Sequence, residues 1–82
     1  MECSKYIIFD SGGLEVPMVF SPLLEHAQVA SGIGLPVISA GFCRLDEHEP
    51  YYETWGKSVS LGVSSKEFDG ILMTDKLHRE II

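Results

Sequence analysis

Near the start of the chain two short apolar runs flank a polar break, and that pattern predicts a hairpin. KYIIFD is β-branched and aromatic, DSGG supplies residues that tolerate positive φ, and LEVPMVF alternates so that Leu14, Val16, Met18 and Phe20 share one face. Pro17 falls on the other face and has no N–H to give a ladder, which predicts an edge position or an irregularity in the second strand.

The period then changes. Ser21 followed by Pro22 fits an N-cap and a first helical position, and a short helix is predicted from about Pro22 to Ala30. At 100° per residue, Leu23, Ala27 and Ala30 form a stripe that Leu24 widens. These residues are expected to dock the helix, with Ser21 as its cap and His26 on the border of the stripe. SGIGLP is a loop, PVISAGFCRL reads as a strand in which Gly41 marks a bulge or a close backbone approach, and DEHEP is an acidic turn. YYETWGKSVSLG alternates as a second long strand that Gly56 can break. In SSKEFDGILMTDKLHREII, Ser64 stands three residues ahead of Glu67 in a capping-box pattern, and Phe68, Ile71 and Leu72 share an arc. Leu77 falls off that arc, so the helix must kink, end near Met73 or bury a wider face.

The predicted fold is α+β: a small two-layer domain in which two helices cover one face of a mostly antiparallel four-stranded sheet, in the order β-β-α-β-β-α. With 82 residues, 45% of them hydrophobic, one domain spanning residues 1–82 is expected. A chain this short buries only about 60% of its unfolded surface, which leaves little depth for a dry active site.

Charge narrows the partners. Twelve acidic against six basic residues give a net charge of −6, opposite in sign to a nucleic-acid footprint, so neither direct nucleic-acid binding nor an anionic membrane is expected. A basic protein surface is compatible. No apolar run approaches the roughly 20 residues needed to span a bilayer, and MECSKYIIFD lacks the features of a signal peptide, so a cytoplasmic setting is expected. Cys3 and Cys43 form no Cys-x-x-Cys element and are expected as free thiols, Cys43 in the core and Cys3 near a loose end.

Candidate chemistry is sparse. FDSGG resembles the surroundings of the nucleophile in chymotrypsin-like proteases, but Phe9 stands where that pattern has glycine and the chain cannot hold two barrels; a hairpin turn accounts for it. GIG at 32–34 is an incomplete dinucleotide fingerprint followed by a strand. His26, His48, His78, Cys3 and Cys43 are each isolated, without zinc-ligand spacing. DEHE offers a weak hard-cation ligand set that a solvated turn between two strands explains better, and the serine beside a lysine in Ser64, Ser65, Lys66 and Glu67 is accounted for by the predicted cap. Glu25 and His26 are helix neighbours pointing about 100° apart, which forms no dyad by itself. A small hydrolase or metal-dependent nuclease working through Glu25, His26 and His48 would need the two imidazoles to meet across the fold. No catalytic residue, metal ligand or cofactor is assigned.

What remains is surface. Asp46, Glu47, Glu49, Tyr51, Tyr52, Glu53 and Trp55 concentrate carboxylates and aromatic rings around one turn and the strand after it. Alternating core aromatics with solvated carboxylates would explain the pattern; so would a recognition surface, because aromatics with a polar rim are typical interface anchors.

The segments FSPLLEHAQVA, PVISAGFCRL and WGKSVSLGVSSKEFDGILM resemble segments of short bacteriophage- and prophage-encoded proteins without an assigned activity, over about Ile7 to Leu72. The resemblance implies a bacterial host cytoplasm and an accessory role, and it transfers no functional residue. The expected function is a small acidic, non-enzymatic module that binds and modulates a host protein, one with a basic surface. A self-associating structural protein without a foreign partner is the alternative, and a homo-oligomer is compatible with either.

Overall fold

The computed structural model describes residues 3–46 and 48–78. The chain forms β1 (Ser4–Ser11), β2 (Leu14–Phe20), α1 (His26–Ile33), β3 (Val37–Leu45), β4 (Tyr52–Trp55), β5 (Lys57–Ser58), β6 (Val63–Ser64) and α2 (Asp69–Met73), and α2 runs into a π-helical turn over Thr74–His78. The predicted order lacked the β5–β6 ribbon. It arises because Gly56, at φ 78°, ends β4, and the chain then reverses over residues 59–62, where Gly62 at φ 69° donates its N–H to the Ser58 carbonyl at 2.9 Å.

β1 and β2 pair from Lys5↔Phe20 to Ser11↔Leu14. Gly12 and Gly13 have φ of 62° and 93°, the two positive values a tight hairpin turn of this hand requires, and the Gly13 N–H donates to Asp10 Oδ1 at 2.8 Å. The sheet order is β2-β1-β3-β4 with every pairing antiparallel. β2 is therefore an edge, as Pro17 requires. Counting ladder bonds outward from the turn puts the Pro17 nitrogen on the open side, where a missing N–H costs no bond.

β1 decides the layers. Tyr6, Ile7, Ile8 and Phe9 are consecutive, and none is more than 2% exposed. Successive strand residues face opposite sides. Tyr6 and Ile8 pack with Cys43 and Met73, closed over by Leu72 and Leu77, whereas Ile7 and Phe9 pack with Ala40, Met18, Phe20, Val29, Ala30 and Leu61. The helices thus cover opposite faces, and the expected two-layer arrangement with both on one side is corrected. The sheet is the middle layer.

The helix starts also move. Ser21 does not cap α1; its Oγ accepts from the Leu23 N–H and its carbonyl from the Leu24 N–H, both at 3.1 Å, closing a turn before the helix. The cap is Glu25, whose side chain accepts from the Gln28 N–H while its own N–H donates to Gln28 Oε1 at 3.0 Å. This capping box starts α1 about one turn later than predicted. Leu23 is consequently left outside the helix and 92% exposed.

At α2 the Ser64 to Glu67 box does not form, because Ser64 belongs to β6. Asp69 and Met73, one turn apart, face the sheet instead, and Phe68 and Ile71 point outward. Widening of the next turn to a π-helix brings Leu77 back over the core.

Two substitutions check these placements by urea denaturation. Leu23→Ala is expected to change stability by less than about 0.5 kcal/mol, as at any exposed site. Gly70→Ala is expected to cost about 1 to 3 kcal/mol, since a Cβ there would stand 2.6 Å from the Tyr52 carbonyl oxygen.

Candidate functional site

A five-residue helix has too few internal bonds to persist alone, so α2 must be held by the sheet. Beneath it, the Tyr6 hydroxyl donates to Asp69 Oδ2 at 2.5 Å, and the Lys66 N–H donates to the same oxygen at 2.8 Å. At its side, the Tyr52 N–H donates to Thr74 Oγ1 at 2.8 Å, and the Thr74 hydroxyl donates to the Gly70 carbonyl at 2.7 Å. Gly70 makes this approach feasible, because any side chain would meet the Tyr52 backbone. The outer edge of β4 is thereby closed at Tyr52.

Between that closure and the β3–β4 turn lies a groove of about 740 Å³. Tyr51, Tyr52 and Ile71 give it apolar surface; Glu49, Glu53, Glu67 and Asp75 give it carboxylates, and among the described residues no basic side chain lines it. Glu53 is ion-paired with Arg44 on the neighbouring strand. The carboxylates of Glu49 and Glu67 have no bonded partner among the described residues. Beside the groove Phe68 is 66% and Ile71 68% exposed, and three-residue spacing puts them on neighbouring parts of the helix surface.

The residues singled out from sequence divide. Glu49, Tyr51, Tyr52 and Glu53 line the groove. Tyr52 also packs against the Tyr6 and Cys43 cluster, and burial raises its phenol above the ordinary value. Asp46 works in the turn: its Oδ1 accepts from the Glu49 N–H at 2.9 Å and the His48 N–H at 2.8 Å, and these bonds hold its carboxyl below the ordinary range. Trp55 faces the other side of the sheet, stacked on Phe42 with ring centroids 6.4 Å apart. Glu47 lies outside the described residues. Glu67, Ile71 and Asp75 also line the groove, although the sequence pattern assigns Glu67 to a helix cap and Ile71 to the core. Gly70 was the available signal, a helix-weakening residue placed where a backbone approaches.

Glu25 and His26 form no dyad. The Glu25 carboxylate caps α1, and His26 is only 3% exposed, with Nε2 2.9 Å from the Gly41 carbonyl oxygen. A carbonyl only accepts, so Nε2 carries a proton. Phe20 and Phe42 meet the imidazole edge to face at 5.5 and 6.1 Å. His48 is exposed beyond the end of β3, roughly 13 Å along that strand from Gly41. The structure does not bring the two imidazoles together.

No protein-family model, curated protein or solved structure matches the chain. Among the described residues no helix is long and apolar enough to cross a membrane, and no cluster of three metal-ligating side chains occurs.

The bond beneath α2 predicts an alkaline limit to stability. Burial first, then the hydrogen bond and the charge of Asp69, raise the Tyr6 phenol above its ordinary 10.0, and burial pushes the Cys43 thiol up from 9.0 to about 12. The folded chain keeps protons that the unfolded chain releases, so these contributions are complete below about pH 9 and are lost as the pH rises through the folded values. Urea denaturation should show stability falling above pH 9. Tyr6→Phe should make the fall above pH 10 shallower, leaving the shares of Cys43 and Tyr52, and cost about 1 to 3 kcal/mol at neutral pH, because buried Asp69 loses a donor.

Proposed function

We propose that this chain is a non-enzymatic protein-binding module that takes a basic segment of a partner protein in the groove between β4 and α2. The observation that carries the reading is one surface combining apolar area with unpartnered carboxylates: Tyr51 and Ile71 beside Glu49 and Glu67. Phe68 and Ile71 keep large apolar side chains in water although the helix has a core-facing side available, and exposed apolar area rimmed by charge is characteristic of interfaces. The carboxylates and the net charge of −6 would speed encounter with a basic surface and reject an acidic one. The resemblance to short phage proteins extends this reading to a bacterial host protein as the partner.

A pull-down from bacterial lysate tests it when the parent is run beside the Glu67→Lys/Ile71→Asp double variant. Both substituted side chains sit on the groove's rim, so the variant is expected to keep the parental melting temperature. A partner retained by the parent at low salt, weakened at least tenfold by the variant and released by salt supports the proposal. Equal retention on both proteins overturns it. Should the parent associate with itself and the variant not, as read by light scattering, the groove holds a second copy and the foreign partner is ruled out.

A further inference from the structure

We propose a second and independent site, on the face covered by α1, that binds a small organic monocarboxylate with an apolar body. A pocket of about 340 Å³ opens between the start of α1, β3 and the β5–β6 ribbon, at the lower end of the range for small-molecule sites. Its charge is opposite to that of the molecule. Lys5 and Lys57, two of the chain's six basic residues, both line it. The Lys5 ammonium is fixed by the Leu24 carbonyl at 2.8 Å, and Lys57 has no bonded partner among the described residues.

The remaining lining defines the ligand. Glu25 is the third charge at the pocket, and two ammonium groups against one carboxylate leave a single positive charge, which suits a monoanion better than a phosphate dianion. Ser60 adds a hydroxyl. Phe42 and Val59 supply apolar wall, and Val59 is 84% exposed at the ribbon turn, area that an apolar ligand body would cover. Phe42 is already held in place between the His26 ring and the Trp55 indole, so the wall needs no ordering when a ligand arrives.

Trp55 is the only tryptophan, and its stacking on Phe42 makes its fluorescence a reporter of the pocket. The experiment titrates the protein with benzoate, acetate and inorganic phosphate at constant ionic strength set with chloride. Benzoate is expected to give a saturable change with a dissociation constant of about 1 mM, a value open to so small a ligand. Acetate, lacking the apolar body, should bind at least tenfold more weakly, and phosphate should not saturate. Lys57→Ala should weaken benzoate about tenfold at an unchanged melting temperature, and Lys66→Ala, away from the pocket, should leave it as in the parent. A benzoate titration that does not saturate, or that is the same in Lys57→Ala, overturns the site. Tighter binding of phosphate than of benzoate overturns the assignment of its ligand. None of these outcomes depends on whether the groove beside α2 binds a protein.

Discussion

The architecture depends on one strand being buried on both faces. With Tyr6, Ile7, Ile8 and Phe9 all removed from water, neither side of the sheet can be left to solvent, and each must receive a cover. Among the described residues α1 and α2 are the helices that serve this, and the chain order sends one to each side. α1 follows the first hairpin onto the Ile7 and Phe9 face, where Val29 and Ala30 pack. α2 comes after the last strands and closes the Tyr6 and Ile8 face with Met73 and Leu72. A sheet covered once would have stranded two large apolar side chains in water, each worth about 1.5 to 3 kcal/mol of lost burial.

Each cover is aligned by a buried polar contact that apolar packing alone would not specify. On one side the imidazole of His26 meets the Gly41 carbonyl, and on the other the Tyr6 hydroxyl meets Asp69. Both contacts satisfy groups that would be costly if left unpaired, so a helix rotated or shifted by one residue would lose a bond and expose the penalty. This explains why α2 buries Asp69 while leaving Phe68 outside, against the order of their hydrophobicities. The carboxylate has a donor under the sheet and another in the Lys66 N–H, and the phenyl ring has neither need.

Local pattern was legible wherever local chemistry decides the outcome. The hairpin, its glycine turn, the edge position implied by Pro17, the break at Gly56 and the burial of Cys43 all follow from residues within a few positions of one another. Long-range pairings were not legible. The start of α1 was misplaced because Ser21-Pro22 and Glu25 with Gln28 are both acceptable starts, and burial of His26 against Gly41, 15 residues away, favours the second. The rotation of α2 depends on a bond spanning 63 residues. One signal was present and unused: four successive apolar residues in YIIF are the mark of a strand covered twice, whereas a strand covered once alternates. The candidate site was half legible for the same reason. Its β4 side is continuous in sequence, and its α2 side joins only when the last helix docks.

Stability and the groove consequently share residues. Gly70, Thr74 and Tyr52 attach α2 to the edge of β4, and the same three residues line the groove. Because those bonds are part of what docks α2, together with the Tyr6–Asp69 bond and the burial of Met73, the groove exists only as long as the docking does. Its floor and its rim therefore carry different information. A change at the floor alters folding and recognition together and cannot separate them. The rim side chains of Glu49, Glu67 and Ile71 make no hydrogen bond or ion pair among the described residues, so changes there bear on the surface and leave the docking of α2 in place. In a domain with so thin a core, whatever chemistry this surface performs has to be carried by such side chains, the ones that folding leaves free.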